Sequence, residues 1–334
     1  MNYDLHVHLA GTERERCGNY LSPRLGPTFR YLLRRLGLEA EALQTPGGDE
    51  RLRDLLLRWI AESSLDRVVV LALDGVYRRD GTLDLASTLL MTGNDYVAAL
   101  ASRDARVLFG ASIHPYRRDA LAALDRAVER GACLVKWIPA GQNIAPDDPL
   151  CFPFYEALAR HRLPLLTHTG KEHVLSAFPD RLNDPRRLKP ALDRGVTVIA
   201  AHCGARLFLH DCSHFRAWCT MAREYERFYG DLGAFAVITR CRALRRLERD
   251  PQLLAKIVYG SDFPAPVLAW SYVHRLGLRQ VRALAAIANP LERAYRLFRS
   301  LGLPDAVFSR AGQLLRLPMA PATVAAALPG GVAA

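Results

Sequence analysis

The stretch "DLHVHLAG", residues 4–11, places two histidines one residue apart in a short apolar run. Because successive side chains of a β-strand point to opposite faces, the pattern predicts that His6 and His8 project to the same side. The apolar residues around them would share the opposite side: Leu5, Val7 and Leu9. Two imidazoles on one strand face lie about 6–7 Å apart, close enough to bind one divalent ion. An isolated HxH pair more often belongs to a half-exposed strand whose histidines bind no metal. The rest of the sequence is therefore needed to choose between the two interpretations.

Length and composition describe an ordinary globular protein. The chain has 334 residues, half of them hydrophobic, which is enough for one barrel-type domain or two smaller domains. Its seven cysteines are odd in number and form no CxxC pair, and no cationic and apolar leader precedes Asp4, so we expect a cytoplasmic protein. No uninterrupted apolar run approaches the roughly 18–20 residues that span a bilayer, so we expect no membrane partner.

The formal net charge of +11 raises the question of nucleic-acid binding. The cations are dispersed, and the densest stretch, "RCRALRRLERD" at 240–250, has its apolar residues at helical spacing and is interrupted by acidic ones. A solvated helix face explains this stretch better than a DNA-binding surface. We therefore expect no nucleic-acid partner. The non-enzymatic alternative is a basic barrel that binds nucleic acid and holds only a structural metal.

Short apolar or β-branched runs alternate with amphipathic helical segments along the chain, which is typical of βα units and a parallel sheet. The predicted strands span 3–9, 67–73, 106–113, 133–138, 163–168, 196–202, 227–232 and 256–261. The clearest helical segments span 51–62, 118–130, 153–162, 185–194 and 215–227. Eight strands with helices between them in about 250 residues predict a (β/α)8 TIM barrel.

Two additions to the barrel are expected. Residues 11–48 form a long polar loop insertion after the first strand, placed where it could cover the barrel mouth. Extra C-terminal helices are predicted at 290–303 and 304–317, packed on the outside. We assign residues 1–317 to one barrel domain, and we expect the Ala/Pro/Gly-rich tail at 318–334 to be loosely ordered.

The chemistry of such barrels lies at the C-terminal ends of the strands. Six side chains able to take part in it fall at these predicted ends: His6, His8, Lys136, His168, His202 and Asp262. Each histidine alone would more often be a hydrogen-bonded structural residue, and Asp262 a turn residue. Their convergence on one rim, on strands assigned independently, favours a metal site.

This combination resembles the amidohydrolase superfamily, which carries HxH on strand one, histidines on strands five and six, and aspartate on strand eight. Four segments look most like its amidohydrolase-related branch, also called amidohydrolase type 2: "LVKWIP" (134–139), "AAHCG" (200–204), "GSDFP" (260–264) and "LGLPDAVFSRAGQLL" (301–315). That branch holds hydrolases of amides and lactones alongside metal-dependent decarboxylases and hydratases. The resemblance is specific for the fold and the metal site, and it does not extend to the substrate loops.

The resemblance implies roles for the rim residues. His6, His8 and Asp262 look like the ligands of the principal metal, joined by His168 when one ion is bound. His202 looks like the residue that either binds a second metal or hydrogen-bonds the attacking water. Asp262 would take the proton of that water and hand it to the leaving group. Zinc is the default for such nitrogen and oxygen ligands, and manganese, iron or cobalt would also fit.

Lys136 has two roles open to it. Only four of the 45 cationic residues are lysines, and this one sits within an apolar strand, where an unpaired ammonium would be costly to bury. Strand four is where binuclear amidohydrolases carry a carboxylated lysine that bridges two metals. The alternative is a simple ammonium that neutralises Asp262 or a substrate carboxylate. The number of bound ions, one or two, stays open with it.

Loop residues after the strands are candidates for substrate contact: Arg14, Arg16, His114, Lys171, His173 and Arg206. Asp231 ends strand seven in "YGDLG" and could orient a ligand. The leading interpretation is a metal-dependent hydrolase that cleaves an amide, ester or lactone bond of a small organic molecule. The alternative is a decarboxylase or hydratase of an unsaturated or aromatic carboxylic acid. The sequence fixes neither the substrate nor the oligomeric state, and it is compatible with a homodimer.

Overall fold

An eight-stranded parallel sheet organises the computed structural model, which describes residues 1–37, 43, 45 and 47–317. Its strands are β1 (Tyr3–His8), β2 (Arg67–Leu71), β3 (Val107–Ala111), β4 (Ala132–Trp137), β5 (Leu165–His168), β6 (Val198–Ala201), β7 (Phe228–Asp231) and β8 (Ile257–Val258). Each strand pairs in parallel with the next one along the chain. The eight predicted strands are confirmed, with ends that differ by a few residues.

Backbone hydrogen bonds between β1 and the segment around β8 bring the sheet close to a closed barrel. The Leu5 N–H donates to the Tyr259 carbonyl at 3.2 Å, and the His8 N–H donates to the Phe263 carbonyl at 2.9 Å. In the opposite direction, the Asp262 N–H donates to the carbonyl of His6 at 2.9 Å. The predicted (β/α)8 barrel is therefore confirmed, and its closure brings Asp262 next to the two histidines of β1.

Helices lie between the strands and after the last one. Ten of them are labelled α1 (Gly48–Ala61), α2 (Asn94–Arg103), α3 (Ala120–Glu129), α4 (Phe152–His161), α5 (Lys189–Asp193), α6 (Phe215–Glu224), α7 (Cys241–Glu248), α8 (Val273–Ala285), α9 (Pro290–Ser300) and α10 (Asp305–Leu314). Further helices span Arg14–Cys17, Pro27–Arg35, Pro139–Gln142 and Pro251–Leu254, and 3₁₀ turns span Pro149–Cys151, Asp180–Asn183, Pro185–Leu188, His202–Gly204, Ile238–Arg240 and Ala269–Tyr272. The predicted helix at 185–194 begins only at Lys189. Pro190 has no N–H, so it cannot donate the hydrogen bond to the carbonyl four residues earlier that an α-helix beginning at 185 would require.

The insertion after β1 contains the two short helices Arg14–Cys17 and Pro27–Arg35. It also contributes Tyr20–Leu21, which pairs antiparallel with Leu90–Met91. Parts of the predicted insertion at 38–42, 44 and 46 lie outside the described residues, as does the predicted tail at 318–334. Among the residues that the structure describes, no helix is both long and apolar enough to cross a lipid bilayer.

Two apolar clusters form the core. The larger one lies between the sheet and the helices. The smaller one fills the barrel interior with side chains from six strands: Leu5, Val69, Leu71, Leu134, Leu166, Ile199 and Val258. Ala311 and Leu315 join this interior cluster together with Tyr3, at the beginning of β1. The segment at 304–317, expected to pack on the outside, thus covers the N-terminal end of the barrel.

A β-bulge changes the predicted pattern of β1. The pairing of β1 with β2 shifts register between Asp4 and Val7. Asp4 Oδ1 accepts hydrogen bonds from the backbone N–H groups of His6 (3.1 Å) and Ser261 (2.9 Å), so this carboxylate occupies donors that a regular strand would use otherwise. As a result, Leu5 faces the interior cluster, while Val7 lies in the outer one. The prediction that Leu5 shares a face with Val7 is therefore wrong, because the bulge adds a residue to the alternation.

Candidate metal centre

Polar side chains replace apolar ones at the C-terminal end of the barrel interior. Leu134 and Leu166 belong to the interior cluster, and two residues further along the same strands stand Lys136 and His168. Because side chains of a strand repeat with a period of two, these polar residues point the same way as the leucines before them. Both are buried. The barrel therefore changes from an apolar interior to a polar layer at its mouth.

His6, His8 and Asp262 form the centre of this layer. The Nε2 atoms of the two histidines are 3.1 Å apart, and Asp262 Oδ1 lies 3.2 Å from Nε2 of His6 and 3.5 Å from that of His8. In the described part of the chain, this is the one group of three or more histidine, cysteine or carboxylate residues whose donor atoms all lie within 4.8 Å of one another.

This group fits a divalent transition-metal ion. Two nitrogens that each bind one zinc ion at about 2.0–2.1 Å lie about 3.0–3.4 Å apart, and the separation in this structure falls in that range. Two nitrogens and a carboxylate oxygen also suit manganese or iron. His6 is fully buried, whereas the side chains of His8 and Asp262 are 23% and 18% exposed, so the group can be reached from the barrel mouth.

Lys136 lies against the same group. Its Nζ atom is 2.9 Å from Nε2 of His6, and the side chain is fully buried. Burial lowers the pKa of Lys136 to about 8, although the nearby carboxylates of Asp262 and Asp231 oppose that shift. Burial also lowers the pKa of His6 well below its usual value, and the charge of Lys136 adds to this effect. The lysine predicted to face the metal site therefore does face this group.

His202 faces the other oxygen of Asp262. The distance from His202 Nε2 to Asp262 Oδ2 is 3.9 Å. The opposite ring nitrogen, Nδ1, is 2.9 Å from the carbonyl oxygen of Gly233. Because a carbonyl oxygen only accepts hydrogen bonds, Nδ1 carries the ring proton in neutral His202. Nε2 is therefore left as an acceptor that faces Asp262.

His202 and Asp262 both have left-handed backbone conformations. Their φ angles are 64° and 61°, which cost a residue with a side chain about 1–3 kcal/mol. Hydrogen bonds hold both residues in place, since the His202 N–H donates to Asp231 Oδ1 at 2.8 Å and the Asp262 N–H donates to the His6 carbonyl. Such strain persists where the surrounding structure enforces it, and it is concentrated at functional sites.

The structure does not bring His168 into the three-residue group. Its Nδ1 atom is 3.2 Å from Oε2 of Glu172, and its Nε2 atom is 3.4 Å from the backbone carbonyl of Lys171. Its ring instead contacts that of His202, with the two centroids 4.8 Å apart. Both ring nitrogens of this implied fourth ligand therefore face protein atoms.

Three buried charged residues surround the centre. Asp231 Oδ2 is 2.7 Å from Nδ1 of His6, so the predicted orienting role of Asp231 has a matching contact. Glu172 was not predicted, because an acidic residue four positions after His168 has no distinguishing pattern. Arg240 was assigned to a solvated helix face, but it precedes α7 and is only 3% exposed.

Arg240 and His202 contact the same backbone carbonyl, that of Gly233. One terminal nitrogen of its guanidinium donates to the Gly233 carbonyl at 2.9 Å, the same oxygen that His202 Nδ1 contacts. Its Nε donates to the Arg206 carbonyl at 3.3 Å. Within the described ranges Arg240 forms no ion pair, and the carboxylates of Asp262 and Asp231 act on it only over a longer distance. A buried cation without an ion-pair partner is therefore a feature of this site.

The loop residues predicted to contact substrate have other partners or are exposed. Arg14 is exposed, and Arg16 pairs with Glu13 at 2.8 Å and with Glu50 at 2.5 Å. His114 is buried, with Nε2 2.8 Å from the carbonyl of Gln142 and Nδ1 accepting from a backbone N–H. Arg16 and His114 thus contact other protein groups, and substrate contact by the three residues stays a prediction.

The predicted residues after β5 and β6 also pair within their own loops. Lys171 forms an ion pair with Asp180, and Nε2 of His173 is 3.0 Å from Asp211 Oδ2. Arg206 donates to the Leu209 carbonyl at 3.1 Å. Substrate contact by these residues stays a prediction.

Fold and site together define the class of protein: a (β/α)8 barrel with a metal-capable cluster at the C-terminal ends of its strands, as in barrel enzymes. The family model described as amidohydrolase matches residues 77–307, and the chain belongs to that family. The family is typically metal-dependent. The match begins after β2, so the two histidines of β1 lie outside it. No curated protein sequence matches the chain significantly.

Solved structures share the fold. An uncharacterised TIM-barrel protein from Bordetella bronchiseptica is 17% identical, with a TM-score of 0.56 over 90% of this chain and 99% of that one. A probable 2-pyrone-4,6-dicarboxylic acid hydrolase from Acinetobacter baumannii, with bound citric acid, is 13% identical, with a TM-score of 0.58 over 95% of this chain and 99% of that one. A 5-carboxyvanillate decarboxylase from Novosphingobium aromaticivorans, with bound manganese, is 13% identical, with a TM-score of 0.50 over 95% and 97%.

Proposed function

We propose that this protein is a metal-dependent hydrolase that cleaves an amide, ester or lactone bond of a small organic molecule. His6, His8 and Asp262 would hold one divalent ion, with zinc as the first candidate. The fold does not choose the reaction, since the structures that share it include a probable hydrolase and a decarboxylase. The choice therefore rests on the arrangement of acceptors at the site.

The observation that carries the proposal is the pair of acceptors formed by Asp262 Oδ2 and His202 Nε2, which face each other across 3.9 Å. A water oxygen about 2.8 Å from each atom would fit between them, with one proton directed at each acceptor. Asp262 Oδ1 meanwhile lies beside the two histidines of β1. An attacking water at this position would lie next to the metal group and two bases.

Each residue then has a defined task in hydrolysis. Asp262 would accept a proton from the attacking water and later return it to the leaving group. His202 would hold that water and orient it. Lys136 would donate a hydrogen bond to the oxygen on which negative charge develops. A divalent ion, when bound, would polarise the substrate carbonyl and make water more acidic.

We propose one ion and an uncarboxylated Lys136. A second ion would need His168 and His202 as ligands, but both ring nitrogens of His168 face Glu172 and the Lys171 carbonyl. His202 could offer only Nε2 to such an ion, because its Nδ1 faces the Gly233 carbonyl. The ammonium interpretation of Lys136 needs no second ion and is consistent with its contact to His6.

Arg240 supports a second candidate function, the decarboxylation of an unsaturated or aromatic carboxylic acid. A buried guanidinium without an ion-pair partner is well suited to bind a carboxylate, because its planar donors match that group. Arg240 shares the Gly233 carbonyl with His202, so an anion bound to it would lie close to the proposed bases. In this alternative Asp262 and His202 would handle the proton that replaces carbon dioxide.

Asp262→Asn tests the proposed function. A panel of esters, lactones and amides is assayed for acid release, and a panel of unsaturated and aromatic carboxylic acids for carbon dioxide. We expect the hydrolytic panel to contain a substrate, and the variant to turn it over about 10²–10⁴-fold more slowly, because an amide cannot act as a base. Asp119→Asn is the control, since Asp119 pairs with Arg117 and Arg126 outside the site.

Two results would overturn this proposal. Turnover by Asp262→Asn within tenfold of wild type would assign the proton transfer to another residue, with His202 and His173 as the next candidates. Carbon dioxide release from the acid panel, with no hydrolysis of the other, would replace the hydrolase with the decarboxylase.

A further inference from the structure

One buried carboxylate, that of Asp231, contacts residues from two different parts of the candidate site. Its Oδ1 accepts hydrogen bonds from the backbone N–H groups of His202 and Gly233, each at 2.8 Å. Its Oδ2 lies 2.7 Å from Nδ1 of His6. The side chain is fully buried, so no water competes for these contacts. The carboxylate therefore joins β1 to the segment that follows β6.

The ring of His6 is held from both sides. Nδ1 faces the carboxylate of Asp231, which accepts hydrogen bonds. Nε2 lies 2.9 Å from Nζ of Lys136, whose ammonium group can only donate. Both contacts require the same tautomer of His6, with the ring proton on Nδ1 and a lone pair on Nε2. Nε2 also lies beside His8 and Asp262, so an ion held by this group would take the lone pair in place of the hydrogen bond from Lys136.

We propose that Asp231 is a positioning residue that fixes the Nδ1–H tautomer of His6 and, through the same carboxylate, the backbone of His202. A histidine binds a metal only through an unprotonated nitrogen, so the tautomer decides whether Nε2 is available. The use of this tautomer for metal binding rests on the proposed function. The tautomer itself follows from the contacts of His6 with Asp231 and Lys136 and does not depend on a bound metal.

The Asp231→Asn variant separates this role from packing. The asparagine has the same shape, but it offers one acceptor and one donor group. The two backbone N–H groups of His202 and Gly233 need the acceptor, so the amide NH₂ would face Nδ1 of His6. Nδ1 would then have to accept a hydrogen bond, and the ring proton would move to Nε2, where it blocks metal binding.

Asp74→Asn is the matched control. Asp74 is also a buried carboxylate that accepts backbone N–H groups, from Gly75 and His114, each at 2.9 Å. It pairs with Arg117 at 3.1 Å and contacts none of the three residues of the metal group within the described part of the chain. A loss that arises from replacing any buried carboxylate would appear in both variants.

The experiment uses the full chain, first without metal and then with zinc. Long-range ¹H–¹⁵N correlation spectra of protein with ¹⁵N-labelled histidine report the tautomer of His6, assigned by its loss in His6→Gln. We expect Nδ1–H in wild type and in Asp74→Asn, and Nε2–H in Asp231→Asn. In a competition titration with a chelator, we expect the zinc dissociation constant of Asp231→Asn to rise about 10–100-fold, with that of Asp74→Asn unchanged.

Two outcomes would contradict the positioning role. An Nε2–H tautomer of His6 in the metal-free wild type overturns it without any variant, even where Asp231→Asn fails to fold. An unchanged tautomer and zinc affinity in a folded Asp231→Asn protein, judged by circular dichroism, also overturn it. If wild type shows the expected tautomer but takes up no zinc, the proposed function fails and the positioning role stands.

Discussion

His6 receives contacts from four other side chains of the barrel mouth. Asp231 and Lys136 approach its two ring nitrogens at 2.7 and 2.9 Å, and His8 and Asp262 lie 3.1 and 3.2 Å from Nε2. No water reaches the ring, because it is fully buried. His6 is therefore the residue that contacts all four of these side chains, so a substitution of any one of them alters the surroundings of His6.

At this scale we expect metal content to depend on the two histidines of β1. Purified wild type should carry at least one tightly held transition-metal ion, and the double variant His6→Ala/His8→Ala should carry none, because two of the three proposed ligands are lost. Elemental analysis without chelator treatment makes the measurement. The matched control is His161→Ala/His210→Ala, which removes two histidines outside the site. Equal, near-zero metal in wild type and in the His6/His8 variant would refute the metal site.

Lys136 gives a second prediction at the residue scale. In a crystal grown with bicarbonate and excess zinc, we expect one ion and electron density that ends at Nζ of Lys136. Both ring nitrogens of His168 face other groups, so a second ion would lack this ligand. Two ions about 3.5–4 Å apart, with forked density beyond Nζ, would instead identify a bridging carbamate.

At the scale of the element, the loop after β3 is organised around a buried neutral histidine. The ring nitrogens of His114 contact the Gln142 carbonyl at 2.8 Å and the Tyr116 N–H at 3.1 Å. Its backbone N–H donates to Asp74. Burial lowers the pKa of His114 from 6.5 to about 3. This loop therefore requires the uncharged imidazole.

The stability of the protein should then fall in mild acid. Below pH 6.5 the unfolded chain protonates His114 and the folded chain does not, so this residue destabilises the fold progressively between pH 6.5 and 3. The loss from this group amounts to about 2 kcal/mol at pH 5. His114→Asn, whose amide oxygen can still accept the Tyr116 N–H, should lose about 2 kcal/mol less than wild type between pH 7.5 and 5. Urea unfolding at both pH values measures this difference, and parallel changes in the two proteins would contradict it.

At the scale of the whole molecule, β1 and the end of α10 meet at the N-terminal end of the barrel. Leu315, just after α10, packs in the interior cluster with Leu5 and Tyr3 of β1. The carbonyl of Val307, in the first turn of α10, accepts the Tyr259 N–H at 2.9 Å, next to β8. Helix α10 therefore covers the N-terminal end of the barrel beside the place where the sheet closes.

Leu315→Ala should lower the free energy of unfolding by about 2–5 kcal/mol, because it opens a cavity in the barrel interior. Leu315 is only 6% exposed. Leu278, which is 57% exposed, provides the control, since Leu278→Ala should change stability by no more than about 0.5 kcal/mol. Chemical denaturation measures both variants. A Leu315→Ala protein as stable as the Leu278→Ala protein would show that the C-terminal segment does not support the barrel.

The sequence alone determined the barrel and the residues at its mouth. Eight apolar runs separated by amphipathic helices leave few other architectures, since strand and helix periodicities are local properties that survive folding. The rule that barrel chemistry lies at strand ends then selected the histidines of β1, Lys136 and Asp262 without knowledge of distances. These residues were predictable because each one lies towards the C-terminal end of a recognisable strand or shortly after it.

The tertiary structure decided which of those residues meet and which groups surround them. The bulge at Asp4 depends on a hydrogen bond to Ser261, across the closure of the barrel, and no local pattern records it. Glu172 follows β5 and Arg240 follows β7, and both are buried in the folded barrel. Both nitrogens of the His168 ring contact residues of the loop after β5, Glu172 and the Lys171 carbonyl. Periodicity fixes which face a side chain takes, whereas partners distant in sequence fix what it touches there.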